Sequence, residues 1–484
     1  MKLSILLENI PIKASNIDLK QDCEGIASDS RKTVKNGVFF AIKGMNVDGS
    51  EYIEEALDHG VLAVISENEL SCPYIQVENV RLALAIAWSN YYKNSSKKIK
   101  GIAITGTNGK STTAHLIYNI LKRTQKKCGL ISTIECIIDG KQIDLGGGSE
   151  VIGKSASMTT PDPEILYKLV NEMYEKRVEY VVLEASSHAL SQYKLDAFNI
   201  EVGIFTNLSH EHLDYHKSMD NYFKAKSRLF ELCKVGIVNI DDEFGIQLCK
   251  RYKSRMLTYS VKQNADISLI GSKMYAHRSK LSLLEQNAKH TIDSNLIGSF
   301  NAYNVLAATL CSRALGISWK NIKDGIKATK SIKGRLERYK NKCIFIDYAH
   351  TPDAMEKVIL EIKALYPKKR IITLFGCGGN RDRAKRAKMG EIAAKNSDSV
   401  IVTSDNSRDE SLITIINDIK KGVANLEKLK VIHDRRKAIE YAVGKMTKKD
   451  VLLLLGKGHE DYEININGKT PFDERKILNE IFQK

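Results

Sequence analysis

The sequence predicts an α/β protein of three domains: a central parallel-sheet domain with a P-loop-like phosphate site, an N-terminal α/β domain and a C-terminal Rossmann-like domain. Three observations carry that expectation. At 484 residues the chain is too long for one hydrophobic core, given roughly 100–200 residues per domain. Short apolar runs alternate with helical stretches from Ile99 onward and again after Gly334, as parallel strands buried on both faces require. The stretch Ile102 to Thr113, IAITGTNGKSTT, sets a strand, a glycine-punctuated turn and a helix start in succession, an order that aims backbone N–H groups and a helix dipole at a phosphate. It departs from the strict Walker pattern, because Ile104 stands where the first glycine is expected.

Composition narrows the class. Apolar residues make up 43% and charged residues 27%, ordinary for a globular protein. No apolar run approaches the ~18–20 residues that span a bilayer, and Val451 to Leu455 reads as a buried strand. The N-terminal MKLSILLENI is interrupted by Glu8, with no small-residue cleavage site after it, so a cytoplasmic location without membrane insertion is expected. Nine cysteines without a C-x-x-C spacing suggest reduced thiols rather than zinc or a disulfide framework. The net charge of +16 comes from dispersed lysines; clustered basic and aromatic residues, which a nucleic-acid binder needs, are not found. A modest positive field suits polyanionic small substrates.

The first domain is placed at 1–97. GIASDSR, GVFFAIKG and VLAVIS read as strands and SEYIEEALDHG as a helix ended by Gly60. Asn79 caps a second helix, VRLALAIAWSNYY, and NSSKK (94–98) reads as a polar connector. The central domain, 98–332, has strands KGIAIT, YVVLEAS, VGIFTNL and VGIVNID, helices at 110–124, 162–176 and 220–234, an antiparallel-looking patch over 256–292, and a helix from SFNAYN. The third, 333–484, has strands CIFIDYA, RIITLFG, SVIVTSD, KVIHD and DVLLLLG, with helices from near Asp353, Arg383, Leu412 and Arg435. Its ligands should lie beyond the carboxyl ends of those strands, where DYAHTPD, FGCGGNRD, TSDNSRDE and GKGHEDY fall.

Chemistry gathers at the strand ends of the central domain. Ser111 follows the loop lysine, Glu184 ends its strand, and His212 follows another; a hydroxyl, a carboxylate and an imidazole around a triphosphate make a sensible Mg²⁺ site. Glu184 alone, or His212 alone, is equally well a structural residue. Taken in order, GTNGKST, TTP (159–161), EASSHALSQ, TNLSHEHLDYH, YFKAK, GSFNAYN, GRLER, DYAHTPD, GCGGNRD, DNSR and GKGHEDY resemble the Mur ligases, the ATP-dependent amide ligases of bacterial cell-wall synthesis. The pattern is similar to the type that adds the third amino acid of the peptide stem, and it covers the chain from DSR (29–31) to Tyr462.

The resemblance implies roles residue by residue. Gly106, Thr107, Asn108, Gly109, Lys110, Ser111 and Thr112 would hold ATP phosphates, with Lys110 on the β and γ groups, and Asn301, Arg335, Asp347 and His350 would complete the nucleotide site. Ser111, Glu184 and His212 would ligate Mg²⁺, as would Lys226, which matches the lysine that CO₂ converts to a carbamate in this family. Lys110, Glu184, His212 and Lys226 are thus the expected catalytic set. Ser30, Thr159, Thr160, Ser186, Gln192 and Lys194 fall on the contacts for a UDP-muramoyl dipeptide, with Met158 and Lys194 departing from an Asn and an Arg. The incoming amino acid would meet Arg381, Asp405, Asn406, Ser407, Arg408, Gly456 and Glu460. A planar guanidinium at Arg408 suits the second carboxylate of meso-diaminopimelate, which lysine lacks. Ser407 replaces the proline of the family's DNPR.

The implied reaction is ATP-dependent amide formation through an acyl phosphate, by a monomer acting on small molecules. The alternatives are a lysine-adding ligase, a folate polyglutamate ligase, and a nucleotide-binding scaffold without turnover. A folate ligase would not be expected to carry DNSR with GKGHED, and a scaffold would have lost Lys110, Glu184, His212 or Lys226, all of which are present.

Overall fold

The computed structural model describes residues 1–44, 47–143 and 158–483. Among these, the strands form sheets of five, eleven, six and two strands. The first contains Ile12–Ser15, Ile26–Ala27, Val38–Phe40, Ala63–Ser66 and Tyr74–Val77, parallel except for Ile12–Ser15 at the edge. The eleven-stranded sheet places Lys100–Thr105 between Tyr180–Glu184 and Ile200–Phe205, all parallel. Glu184 is in register with Ile104, and Phe205 with Thr105. The segments after these three strands therefore leave the same edge of the sheet side by side.

Why the central strands lie where they do follows from their composition. Ile102 and Ile104 pack on one face with Leu116, Ile117 and Ala307, all fully buried. Ala103 faces the other side and shares a core with Leu166, Val170 and Leu183. That second core continues into Leu84 and Trp88 of the helix Val80–Tyr91, so the first sheet is joined to the central one by apolar packing. Asn79 caps this helix as expected, its side chain accepting from the N–H groups of Arg81 and Leu82.

The third sheet orders Ile344–Asp347, Asp450–Leu455, Arg370–Phe375 and Ser399–Val402 in parallel. Asp347 and Phe375 both register with Leu455, and Phe375 with Val402. Four successive loops thus converge at one carboxyl edge, as open parallel sheets arrange their ligand sites. Helices begin at Pro352, Ala384, Leu412 and Arg435, within a residue of the expected starts.

Several local expectations are corrected. The connector at 94–98 contains the helix Ser95–Lys98, and Ser95 and Ser96 are buried: the Ser96 hydroxyl donates to Ala197 O at 2.7 Å, so its polarity is satisfied inside. The helix expected at 220–234 is two short helices, Met219–Ser227 and Leu229–Leu232, because Cys233 and Lys234 already belong to the strand Cys233–Asn239. GIASDSR is extended only at Ile26–Ala27, since Asp29 accepts from Arg31 N and turns the chain into a 3-10 helix. In the patch at 256–292, Met256–Ser260 pairs in parallel on both sides, and only the later pairings are antiparallel. The hairpin Tyr462–Asn465 with Gly468–Pro471 and the helix Glu474–Gln483 were not foreseen.

Candidate active site

The loop after Lys100–Thr105 has the backbone of a phosphate cradle. Gly106 has φ +145° and Gly109 φ +89°, conformations open to glycine. A Cβ on Gly106 would lie 1.8 Å from Thr206 Oγ1, and one on Gly109 2.5 Å from Asn304 Oδ1. Gly109 is the N-cap of Lys110–Leu121, so the first N–H groups of that helix face the loop. Thr206 and Asn207 hold the loop shut by donating to Asn108 O at 2.6 and 3.1 Å. The Lys110 ammonium folds back onto Gly106 O at 2.9 Å and Thr107 O at 2.8 Å. Burial lowers its pKa, against the raising effect of Glu184 and Glu211.

Lys226 reaches this loop from the helix Met219–Ser227, which Ser218 caps. Its Nζ donates to Gly106 O at 2.9 Å and stands 4.6 Å from the Tyr222 ring centroid. Burial, reinforced by the nearby charge of Lys110, pushes its pKa well below the ordinary range and favours the neutral amine. Glu184 is fully buried and accepts from Thr133 N at 2.9 Å and Thr133 Oγ1 at 3.1 Å. His212 precedes the short helix Leu213–His216 with φ +57°; its ring meets His188 edge-on at 5.0 Å. Burial and the charges of His212 and His216 lower His188 to about 4.

Ser111 Oγ and the Glu184 carboxylate are hard oxygen donors of the type Mg²⁺ prefers, and Mg²⁺ fills its remaining positions with phosphate and water. The residues therefore fit that ion. Among the described residues no group of three or more His, Cys, Asp or Glu side chains is placed to hold a metal; the expected set contains only two of that kind, Glu184 and His212.

Beside the phosphate loop, links cross from the central region to the third. Arg335 Nη2 donates to Ser111 Oγ at 3.2 Å, with its guanidinium 4.9 Å from the Tyr348 ring centroid. His350 Nε2 lies 3.4 Å from Glu211 Oε1. Burial raises the Glu211 pKa, but the His350 hydrogen bond and the charges of His350, His212 and Lys110 outweigh it and leave the carboxyl below its usual range. Glu211 lay inside the SHEHLDYH motif yet was missed, because only its neighbour was read as a ligand. Asp347, raised by burial, accepts from Leu336 N at 2.5 Å and Ala349 N at 2.7 Å. Asn301 is engaged with Ile297 O at 2.7 Å and Asn304 Nδ2 at 2.8 Å.

One cleft of about 2570 Å³ is lined by residues from all three regions of the chain. Ser30, Thr159, Thr160, Ser186, Gln192 and Lys194 line it together with His212, His350, Arg381, Asp405, Asn406, Arg408, Gly456 and Glu460. The loop from Gly106 to Thr112, Glu184, Lys226, Asn301, Arg335, Asp347 and Ser407 do not. Thr160 Oγ1 donates to Glu184 O at 2.7 Å and accepts from Ser186 N at 3.1 Å; the Thr159 and Thr133 hydroxyl oxygens are 3.1 Å apart. Lys194 is paired with Asp162 at 2.7 Å and reaches the sulfur of exposed Met158 at 3.9 Å, so the two departures from the family pattern touch each other.

On the third sheet's edge, Arg408 has φ +53° and donates from Nη1 to Gly379 O at 2.7 Å. Asn406 Nδ2 donates to Glu460 Oε2 at 2.8 Å, while its Oδ1 accepts from the buried Lys457 at 3.1 Å and from Ile464 N at 3.0 Å. Burial and the Asp405 charge raise Glu460. Burial also acts to raise Asp405, but the charges of Lys457 and Arg435 bring it below its ordinary value. Gly456, at φ +106°, lets Asp405 approach: a Cβ there would stand 2.7 Å from its Oδ2. Such a surface presents a guanidinium and carboxylates to one cleft, and an amino acid charged at both ends is its chemical complement.

Comparison with known proteins gives three family models in sequence: "Mur ligase family, catalytic domain" over residues 22–103, "Mur ligase middle domain" over 104–312 and "Mur ligase, glutamate ligase domain" over 334–458. A relative from Clostridium acetobutylicum, named UDP-N-acetylmuramoyl-L-alanyl-D-glutamate--2,6-diaminopimelate ligase 1, is 36% identical and covers 100% of both chains. One of the same name, without the numeral, from Aquifex aeolicus is 39% identical over 95% of this chain and 93% of its own. A solved structure with that enzyme's name superposes with a TM-score of 0.70 at 29% identity, covering 100% of this chain and 99% of the other.

Proposed function

The chain belongs to the Mur ligase family, and from that premise we propose that it joins meso-diaminopimelate to the D-glutamyl carboxylate of UDP-N-acetylmuramoyl-L-alanyl-D-glutamate, in peptidoglycan precursor synthesis. Members of the family are ATP-dependent, ADP-forming amide ligases, and the full-length relatives carry the diaminopimelate name. The L-lysine alternative is not favoured. The observation that carries the reading is the single cleft to which all three regions of the chain contribute side chains, as a reaction joining two large polar substrates demands.

In this reading 1–97 receives the UDP-sugar, 98–332 receives ATP, and 333–484 receives the amino acid, in a cytoplasmic monomer. The loop Gly106 to Thr112 receives the phosphates after Lys110 gives up its two carbonyl partners and turns outward. Asn301, Arg335, Asp347 and His350 complete the nucleotide site. ATP transfers its γ-phosphoryl group to the glutamyl carboxylate, giving ADP and an acyl phosphate. The amine of the incoming amino acid attacks the acyl carbon, and the tetrahedral adduct loses inorganic phosphate to leave the amide. No side chain need form a covalent bond to substrate; the protein positions the reactants and neutralises charge.

Ser111, Glu184, His212 and the carbamate of Lys226 would hold Mg²⁺, which supplies charge neutralisation on the phosphates. CO₂ adds to an unprotonated amine, the form that burial of Lys226 favours by lowering its pKa, and the carbamate puts an anion where the lysine side chain stood. Ser30, Thr159, Thr160, Ser186, Gln192 and Lys194 would orient the UDP-muramoyl dipeptide. Arg408 and Arg381 would take the distal carboxylate of diaminopimelate, Glu460 its ammonium group, and Asp405, Asn406, Ser407 and Gly456 would shape that end of the cleft. Phosphate release with purified protein tests the reading: release should require ATP, the UDP-muramoyl dipeptide and the amino acid together. Release that ignores the amino acid refutes it.

A further inference from the structure

Arg386, on the helix Ala384–Asn396, is fully buried, and no step of the reaction above uses it. Its Nη2 donates to Glu410 Oε1 at 2.9 Å and to Gly378 O at 3.3 Å. Its Nη1 donates to Asp418 Oδ2 at 3.1 Å, on the helix Leu412–Lys420. Glu410 Oε1 also accepts from Asn380 N at 2.5 Å, and Glu410 N donates to Ser407 O at 3.1 Å. One guanidinium and one carboxylate therefore connect segment 378–380, just before Arg381, to segment 407–410, which carries Arg408.

Burying a guanidinium against carboxylates seldom yields net stability over an apolar residue of the same size, and its better attested gain is a fixed geometry. The planar fork suits that task, since it donates to several acceptors at set angles. These loops need outside fixing. Asn380 and Arg408 both occupy left-handed backbone conformations, φ +50° and +53°, which side chains other than glycine seldom adopt and which persist only where the surroundings over-determine them. Ser407 gives the turn less rigidity than the proline of DNPR. Gly379 packs so tightly beneath Ser407 O that a Cβ there would lie 1.8 Å from it.

We propose that Arg386, acting through Glu410, is a positioning residue that holds the Arg381 and Arg408 loops in register and thereby sets the affinity and selectivity for the incoming amino acid. The inference rests on the function proposed above. It acts on one substrate only, because Arg386 and Glu410 are bonded to neither the Gly106 loop nor the side chains assigned to the UDP-sugar peptide.

The test is steady-state kinetics of the full chain with Arg386→Lys and Glu410→Ala, varying each substrate in turn and recording thermal unfolding alongside. Lys keeps the charge but loses the fork; Glu410 is partly exposed, so its truncation disturbs the core less. Both variants should raise KM for meso-diaminopimelate by about tenfold or more, the scale of a sub-ångström to 1 Å misplacement, with KM for ATP and the dipeptide moving less than about twofold. The preference for meso-diaminopimelate over L-lysine should shrink in both. Unchanged amino-acid KM, or a parallel rise in all three KM values, overturns the proposal, as does loss of the native fold in both variants. Should the wild-type protein use another amino acid, the proposed function fails, and the loop clamp is judged on the KM of the amino acid it does use.

Discussion

Replacing Gly106 with alanine probes the phosphate loop where the fold leaves least freedom. The φ of +145° is closed to alanine at a cost of about 1–3 kcal/mol. The new Cβ would also stand 1.8 Å from Thr206 Oγ1 and 3.1 Å from Asn207 N and O. Thr206 must then move, and its 2.6 Å bond to Asn108 O, worth about 1 kcal/mol net, goes with it. The sum is about 2–4 kcal/mol. For a unit the size of the central region this lowers the unfolding temperature by about 4–16 °C, and a loop displaced by about 1 Å loses about 10²-fold in turnover. Thermal unfolding and ATP-dependent phosphate release read the two effects separately. Gly444→Ala, whose Cβ would meet nothing within 4 Å, serves as the control and should leave both unchanged or raise stability slightly. A Gly106→Ala protein with wild-type melting and wild-type KM for ATP would refute the strain argument.

Three further outcomes are expected. Lys226→Ala should be nearly inactive and regain part of its activity with added short carboxylates, measured as phosphate release; full activity of the plain variant would remove the carbamate from the account. Arg408→Lys should raise KM for meso-diaminopimelate by about 10- to 100-fold, the scale of one lost bidentate charge-assisted contact, with KM for ATP unaffected; an unchanged amino-acid KM contradicts the assignment. The Lys421 hydrogen bond, helped by Arg386 and Arg383 and opposed by burial, holds the Asp418 carboxyl at about 2, below its ordinary 3.8. A depressed pKa gives stability that is whole above about pH 4 and is lost as pH falls toward the folded value. The melting-temperature gap between wild type and Asp418→Asn should therefore narrow between about pH 4 and pH 2; a constant gap contradicts it.

The parallel strands were legible because burial on both faces leaves an apolar signature: Val181, Ile104 and Leu453 each sit in runs that no exposed segment would carry. The helix starts of the third region were legible from the alternation of apolar strands with helical stretches. Ser95 and Ser96 were not, since a buried serine looks like a loop serine until Ala197 O and Ser89 Oγ are known to face Ser96. The strands Ile12–Ser15 and Tyr74–Val77 are short and pair with each other across more than fifty residues, a non-local bond that local pattern does not reveal. In the site, motif order pointed to Lys110, Lys194 and Arg408 but not to what each touches: two backbone carbonyls, Asp162 and Gly379 O respectively. Arg386 stayed hidden because one arginine in a lysine-rich helix reads as a surface charge; only its burial sets it apart.

The account turns on the amino acid the cleft selects. Equimolar meso-diaminopimelate and L-lysine offered together with ATP, Mg²⁺ and the UDP-muramoyl dipeptide, with the products resolved by mass spectrometry, test this most directly. The account predicts a nucleotide-linked product enlarged by a diaminopimelyl residue, with the lysyl product a minor species. A predominant lysyl product, or none that contains either amino acid, would contradict it.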